Sequence, residues 1–181
     1  MPNLTFITGN PGKAKYLAGF FRLPVAHVKL DLPEIQSLDL LEVVEDKARR
    51  AFAEVGRPVL IEDVSLTFGS LGRLPGPFIK WFLEDLGNDG LCRLVDGLSD
   101  RRAWAEVAYA FCDAAGPRVF VGRTDGEIAT EPRGETGFGW DAIFVPDGYD
   151  RTWAEMSDGE KHLTSMRRPA LDQLSSFLSQ R

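Results

Sequence analysis

Sulfur and imidazole ligands are scarce in this 181-residue chain, which holds two cysteines and two histidines. Cys92 and Cys112 stand apart in apolar surroundings and read as buried thiols. His27 and His162 are isolated as well. With no HExxH, no CxxC and no Cys/His cluster, a dedicated zinc or thiol redox centre and a disulfide framework are excluded. Long hydrophobic runs are missing too, for nothing approaches the roughly 20 apolar residues of a membrane span. Met1-Pro2-Asn3 leads straight into an apolar strand, without a charged leader and apolar core. A cytoplasmic protein with no membrane partner is therefore expected. Positive charge is also in deficit: 21 Lys+Arg against 27 Asp+Glu leave a net charge of -6. That balance counts against a broad nucleic-acid-binding face. A small anionic ligand stays compatible with it, provided a few cations converge and a divalent metal cancels part of the ligand's charge.

What the chain does have is a globular composition, 44% hydrophobic and 10% aromatic, suited to one compact domain over residues 1–181. Its first motif is Leu4-Thr5-Phe6-Ile7-Thr8-Gly9-Asn10-Pro11-Gly12-Lys13, an apolar run that stops at a small polar turn ending in lysine. A strand feeding such a turn and then a helix aims unsatisfied amides and a positive dipole end at one spot, where an oxyanion fits. The alternative is an ordinary turn with a solvated lysine, and the spacing from Gly9 to Lys13 is too short for a Walker A loop. Residues 26–30 read as a short strand, followed by an irregular acidic stretch that places Glu34 on a loop. From Asp39 to Val55 the apolar positions recur at helical spacing, with Gly56 and Pro58 as the stop. Val59-Leu60-Ile61 reads as a buried strand whose C-terminal end carries Glu62-Asp63.

After a Gly/Pro-rich passage at 69–77, Ile79, Phe82, Leu83 and Leu86 share a helix face that Gly87 ends, and a short helix carries Leu91, Leu94 and Val95. Residues 103–112 and 119–124 pattern as an antiparallel hairpin. Short strands follow at 127–129 and 142–145. Ser157-Asp158-Gly159-Glu160 spells a capping box that opens a helix carrying Lys161. A last helix runs from about Pro169. The sum is an α/β or α+β domain with a mixed sheet.

Chemistry is concentrated in two places. Glu34, Glu62 and Asp63 are hard oxygen donors on a loop and a strand end, the ligand type Mg²⁺ prefers, with Mn²⁺ as the alternative ion. A metal-bound water beside a spare carboxylate is a ready nucleophile. Equally, Glu62-Asp63 caps the next turn. In Gly137-Phe138-Gly139-Trp140-Asp141, two aromatics between glycines and beside a carboxylate suit stacking and edge recognition of a base. A core aromatic pair in a tight turn is the plainer reading. Lys80 and the segment from Lys161 to Arg167 add cations that equally suit a solvated face.

These motifs together resemble the Ham1 family of inosine triphosphate pyrophosphatases, enzymes that clear abnormal purine nucleoside triphosphates from the nucleotide pool. The resemblance spans nearly the whole chain: Thr8-Gly9-Asn10 with Lys13, Leu60-Ile61-Glu62-Asp63, residues 74–82, Phe138-Gly139-Trp140-Asp141, and residues 154–167. It implies an elongated mixed β-sheet with flanking helices, forming two lobes around a central nucleotide cleft, and a homodimer. Carried over, Thr8, Gly9, Asn10 and Lys13 hold phosphates with Lys47 and Lys80 assisting. Glu34 and Asp63 hold the metal with Glu62 near, and Lys13 and Asp63 carry the catalysis. Phe138, Gly139, Trp140, Asp141, Lys161, Met166 and Arg167 form the base pocket. Asp63 fits either role, metal ligand or base.

Three positions depart from the family pattern: Tyr16 replaces a glutamate, Val64 a threonine, and Met166 the histidine of a Ser-His-Arg motif. The expected activity is Mg²⁺-dependent hydrolysis of a purine nucleoside triphosphate such as ITP, dITP or XTP to the monophosphate and pyrophosphate. Met166 adds the expectation of relaxed base selection. A catalytically idle nucleotide-binding regulatory protein is the first alternative, opposed by the retention of Lys13, Glu34 and Asp63. A phosphotransferase is the second, opposed by the wrong Walker spacing.

Overall fold

The computed structural model describes residues 4–22, 24–98 and 100–180. Strand β1 (Thr5–Ile7) delivers helix α1 (Pro11–Phe21), which opens on a proline whose missing N–H costs nothing in a first turn. After β2 (Ala26–Val28) comes α2 (Leu40–Val55), with the caps its sequence announces. Asp39 Oδ1 accepts from the Leu41 amide at 2.9 Å, and Gly56 takes a left-handed φ of 68° at the other end. The apolar stripe of α2 packs Leu40, Val44, Ala48 and Ala51 into one buried cluster with Ile7, Val59, Ile61, Ala108 and Ala110. Each large aliphatic group so buried contributes about 1.5–3 kcal/mol.

The remaining elements are β3 (Val59–Phe68), β4 (Pro75–Gly76), α3 (Ile79–Arg93), β5 (Arg102–Asp113), β6 (Gly116–Ile128), β7 (Phe144–Pro146), α4 (Asp158–Thr164) and α5 (Arg167–Ser179). Among the described residues the strands form a seven-stranded sheet in the order β2-β1-β3-β5-β6-β7, with β4 paired to β3. β1 runs parallel to β2 and β3, placing Phe6 opposite His27 and Leu60, while β4 and β7 pair antiparallel to β3 and β6. The mixed sheet and its five helices agree with the expected α/β class. No helix among the described residues is long and apolar enough to cross a membrane. Burial pushes the thiol of Cys92 up to about 11 and raises that of Cys112 as well, so both are inert packing groups.

Several boundaries move. β3 continues to Phe68, so Glu62 and Asp63 lie inside the strand and not at its end. β6 joins the two strands expected at 119–124 and 127–129 into one. Gly87, with φ 65° and ψ 177°, breaks α3 where the sequence ends one helix and starts the next.

The chain clusters into two compact units. One holds Met1–Asp63, Val107–Val121 and Pro169–Arg181, the other Val64–Glu106 and Gly122–Arg168, and β3, β5 and β6 contribute residues to both. In the second unit the guanidinium of Arg101 acts as a clamp. It donates to the carbonyls of Ile128 at 2.7 Å, Cys92 at 3.1 Å and Ala129, and to Asp96 at 2.9 Å. These bonds tie the end of α3 to the end of β6, where the chain turns away from the sheet. Arg101→Ala strips a charged donor from three carbonyls, so unfolding should become easier by on the order of 3 kcal/mol. Urea denaturation measures it, and a loss under about 0.5 kcal/mol would show the clamp to be ornamental.

Candidate active site

In the first unit the turn after β1 is closed by its own side chains. Thr8 N donates to Val28 O at 3.0 Å, Asn10 N to Thr8 Oγ1 at 3.1 Å, and Gly12 N and Lys13 N to Asn10 Oδ1 at 2.9 and 3.4 Å. Asn10 is thus the N-cap of α1. The amides of Asn10, Gly12 and Lys13 are engaged within the turn, and side chains carry positive charge beside it. Lys13 stands 3.6 Å from Glu62 Oε1 and donates to the Glu62 carbonyl at 3.4 Å.

Glu62 is the most enclosed of the predicted acids, its side chain fully shielded from water. The Tyr109 hydroxyl, itself buried in β5, donates to Glu62 Oε2 at 2.9 Å. Sequence reasoning missed Tyr109, because a tyrosine in an alternating strand of small and apolar residues reads as core; the signal was its hydroxyl, a polar tip that needs a partner when buried. Next along β3, Asp63 shares a cation with the loop residue Glu34: the Lys47 ammonium lies 2.9 Å from Asp63 Oδ2 and 2.6 Å from Glu34 Oε2. Burial alone would lower the pKa of Lys47, but Asp63 and then Glu34 outweigh it and lift it above the usual lysine value.

Among the described residues no group of three or more His, Cys, Asp or Glu side chains converges as a metal site. Glu34 and Asp63 nevertheless already direct oxygens at one cation, and a pair of carboxylates with room for water is the donor set a hard divalent ion accepts. Those residues fit such an ion. Glu62, turned toward Tyr109 and Lys13, is not the third member of that pair in this arrangement.

In the second unit the loop before β7 separates its two aromatics. Phe138 is 39% exposed, whereas Trp140 is 8% exposed and packs on Phe144 and Trp153, with ring centroids at 6.0 and 5.7 Å. The stacking surface of the loop is therefore Phe138. Two cations flank that ring, Lys161 Nζ at 5.4 Å and the Arg167 guanidinium at 5.6 Å from the centroid. Asp141 Oδ2 accepts from the Phe138 amide at 2.8 Å and from the Lys161 ammonium. Gly137 has a φ of 81°, and a Cβ there would collide with the Asp141 carboxylate and the Lys161 ammonium. Lys161 is set by α4, whose capping box Ser157–Glu160 forms as the sequence predicts. Arg151, then Ser157, hold the Glu160 carboxyl down at about 2.

The remaining candidates separate. Gly139 accepts from Asn88 Nδ2 at 3.0 Å, a tie from α3 that no motif announced. Met166 is fully buried and Arg167 is 5% exposed. Lys80 is largely exposed on α3, 3.9 Å from Glu84 and 4.8 Å above the Trp81 ring.

Two groups of residues thus emerge, one of lysines and carboxylates suited to a metal-bound polyphosphate, one of an exposed ring, two cations and an acid suited to a flat polar ligand. The model of the Ham1 family matches residues 4–177. The chain is 47% identical over 174 residues to inosine triphosphate pyrophosphatase 2 of Trypanosoma cruzi, covering 93% of this chain and 88% of that one. It is 41% identical over 180 residues to the inosine triphosphate pyrophosphatase of Tuber melanosporum, covering 97% and 96%. Among solved structures, a Ham1 protein from Coxiella burnetii superposes with a TM-score of 0.87 at 29% identity over 100% of both chains. A nucleoside-triphosphatase, or dITP/XTP pyrophosphatase, from Mycobacterium abscessus does so with 0.75 at 28%, over 94% of this chain and 97% of that one. On this breadth of agreement, the chain belongs to the Ham1 family.

Proposed function

We propose that this protein is a pyrophosphohydrolase for abnormal purine nucleoside triphosphates, converting ITP, dITP and XTP to the monophosphate and pyrophosphate and so cleansing the nucleotide pool. The observation that carries the reading is the shared cation of Glu34 and Asp63, flanked in β3 by the Glu62–Lys13 pair. Relatives named for inosine triphosphate and for dITP/XTP support the choice of substrate.

Glu34 and Asp63 are the residues that would hold Mg²⁺, or Mn²⁺ in its place. When bound, the ion neutralises charge on the phosphate oxygens. The reaction joins a water oxygen to the α-phosphorus and breaks the bond to the α–β bridging oxygen, whose electron pair leaves on pyrophosphate. Asp63 orients the water and takes its proton. Lys13, with Lys47 released toward the substrate, meets the negative charge that grows on the departing group. Thr8, Gly9 and Asn10 keep the turn in shape beneath the phosphates. Phe138 stacks on the base, and Asp141, Lys161 and Arg167 read its polar edge, Arg167 favouring a 6-oxo group over the amino group of adenine. Lys80 is assigned a supporting phosphate contact.

The same proposal includes a cytoplasmic location, no nucleic-acid or membrane partner, and a homodimer. A net charge of -6 disfavours polyanions, and Trp81, 59% exposed beside the Gly/Pro-rich passage, is suitable interface material.

A panel of ITP, dITP, XTP, ATP and GTP with Mg²⁺, read for pyrophosphate and orthophosphate separately, tests the reading directly. Pyrophosphate should be released fastest from the first three. Asp63→Asn should lower kcat by at least about a hundredfold while the melting temperature stays within a few degrees, since the amide keeps the shape and loses charge and basicity. Turnover near that of the natural protein would remove Asp63 from the mechanism. Met166 brings no hydrogen-bonding group to the position before Arg167, so selection between ITP and GTP should be loose. Met166→His should widen the ITP/GTP ratio of kcat/KM by roughly three- to tenfold. An unchanged ratio in the folded variant would show that position to be silent.

A further inference from the structure

We propose that Lys29 is a further phosphate-binding residue, its side chain laid across Gly9 so that its charge serves the loop of Thr8, Gly9 and Asn10. The inference rests on reading that loop as the phosphate site, and it begins with what the loop lacks. Backbone amides at a helix start are the usual anion donors. Here the amides of Asn10, Gly12 and Lys13 are engaged by Thr8 Oγ1 and Asn10 Oδ1, and Pro11 has none to give. With three of the loop's amides engaged, side-chain charge supplies the larger share of the attraction for a polyphosphate. Lys13 is answered by Glu62 at 3.6 Å, and Lys47 by Glu34 and Asp63 at 2.6 and 2.9 Å. Lys29, by contrast, has no carboxylate partner among the described residues, so its charge is uncompensated before any ligand arrives.

The sheet carries Lys29 to this place. β2 pairs parallel with β1, setting Ile7 opposite Val28, and Thr8 N donates to Val28 O at 3.0 Å. The residue after β2 is thereby brought beside Gly9. A Cβ on Gly9 would lie 3.3, 3.4 and 3.5 Å from Cγ, Cδ and Cε of Lys29. Three successive methylenes at nearly equal distance mean that the stem lies flat along the glycine and carries the ammonium past it. Gly9, Asn10 and Lys29 are all exposed, so that ammonium stands on the open face of the turn. A compact cation with three rotatable donors suits the non-bridging oxygens of a pyrophosphate group better than the planar edge of a base.

Inorganic pyrophosphate with Mg²⁺ is the probe, titrated by calorimetry into the natural protein and into Lys29→Met and Lys29→Arg. Methionine keeps an apolar stem and removes the charge. Pyrophosphate affinity should fall about five- to tenfold in Lys29→Met, with a shallower salt dependence and an unchanged melting temperature. Lys29→Arg should recover most of that loss, which a purely packing role would not require. In the steady state with ITP, Lys29→Met should raise KM by a similar factor and change kcat less than about twofold, because the contact is made in the ground state as well as later. Equal pyrophosphate affinity in the natural protein and in Lys29→Met overturns the inference. If the natural protein fails to split ITP, the proposed function falls, while the pyrophosphate titration still decides the role of Lys29.

Discussion

A carboxylate sealed from water in the middle of a strand is the constraint from which the first unit takes its arrangement. A Glu62 side chain with no exposed surface needs partners close by, because burying such a group without them costs several kcal/mol. It finds them at a distance in sequence, Lys13 being 49 residues earlier and Tyr109 47 residues later. Position 109 must therefore offer a hydroxyl from a buried stretch of β5, and Lys13 must lean from the first turn of α1 toward β3. Asp63, facing the other way along the same strand, draws Lys47 from α2 and Glu34 from the preceding loop. One strand thus sorts its two adjacent acids into separate sets, Glu62 with one lysine and Asp63 sharing another with Glu34.

The sequence was most legible where structure is decided locally. Asp39 and Gly56 state where α2 begins and ends, the Ser157–Glu160 box states where α4 begins, and Gly87 marks the break in α3, since caps and left-handed glycines depend on few neighbours. It was least legible where distant partners decide. Adjacent acids look like a strand end because unpaired charge rarely continues inside a sheet, and nothing near Glu62 in the sequence announces Lys13 or Tyr109. β3 accordingly runs seven residues beyond its expected end at Ile61.

The aromatic loop illustrates a different limit. Motif reading names residues and leaves their directions open, so Phe138 and Trp140 counted equally as stacking groups. The backbone, with left-handed glycines at 137 and 139, turns them apart: Trp140 joins Phe144 and Trp153, and Phe138 stays at the surface between Lys161 and Arg167. Rigid support and ligand contact are thereby divided between neighbouring residues of one motif. The Asn88 amide holding the Gly139 carbonyl extends that support to α3.

β2 occupies one margin of the sheet, and all three of its residues are exposed. A bare strand edge offers hydrogen bonds to any passing chain and is a common origin of aggregation, a hazard that short length and an adjacent lysine both suppress. Three residues give a foreign strand little to pair with, and Lys29 follows at once with a charge that is awkward to bury. Whatever else it binds, this lysine is also a gatekeeper, and replacing it by an apolar residue would exchange colloidal stability for a stickier edge.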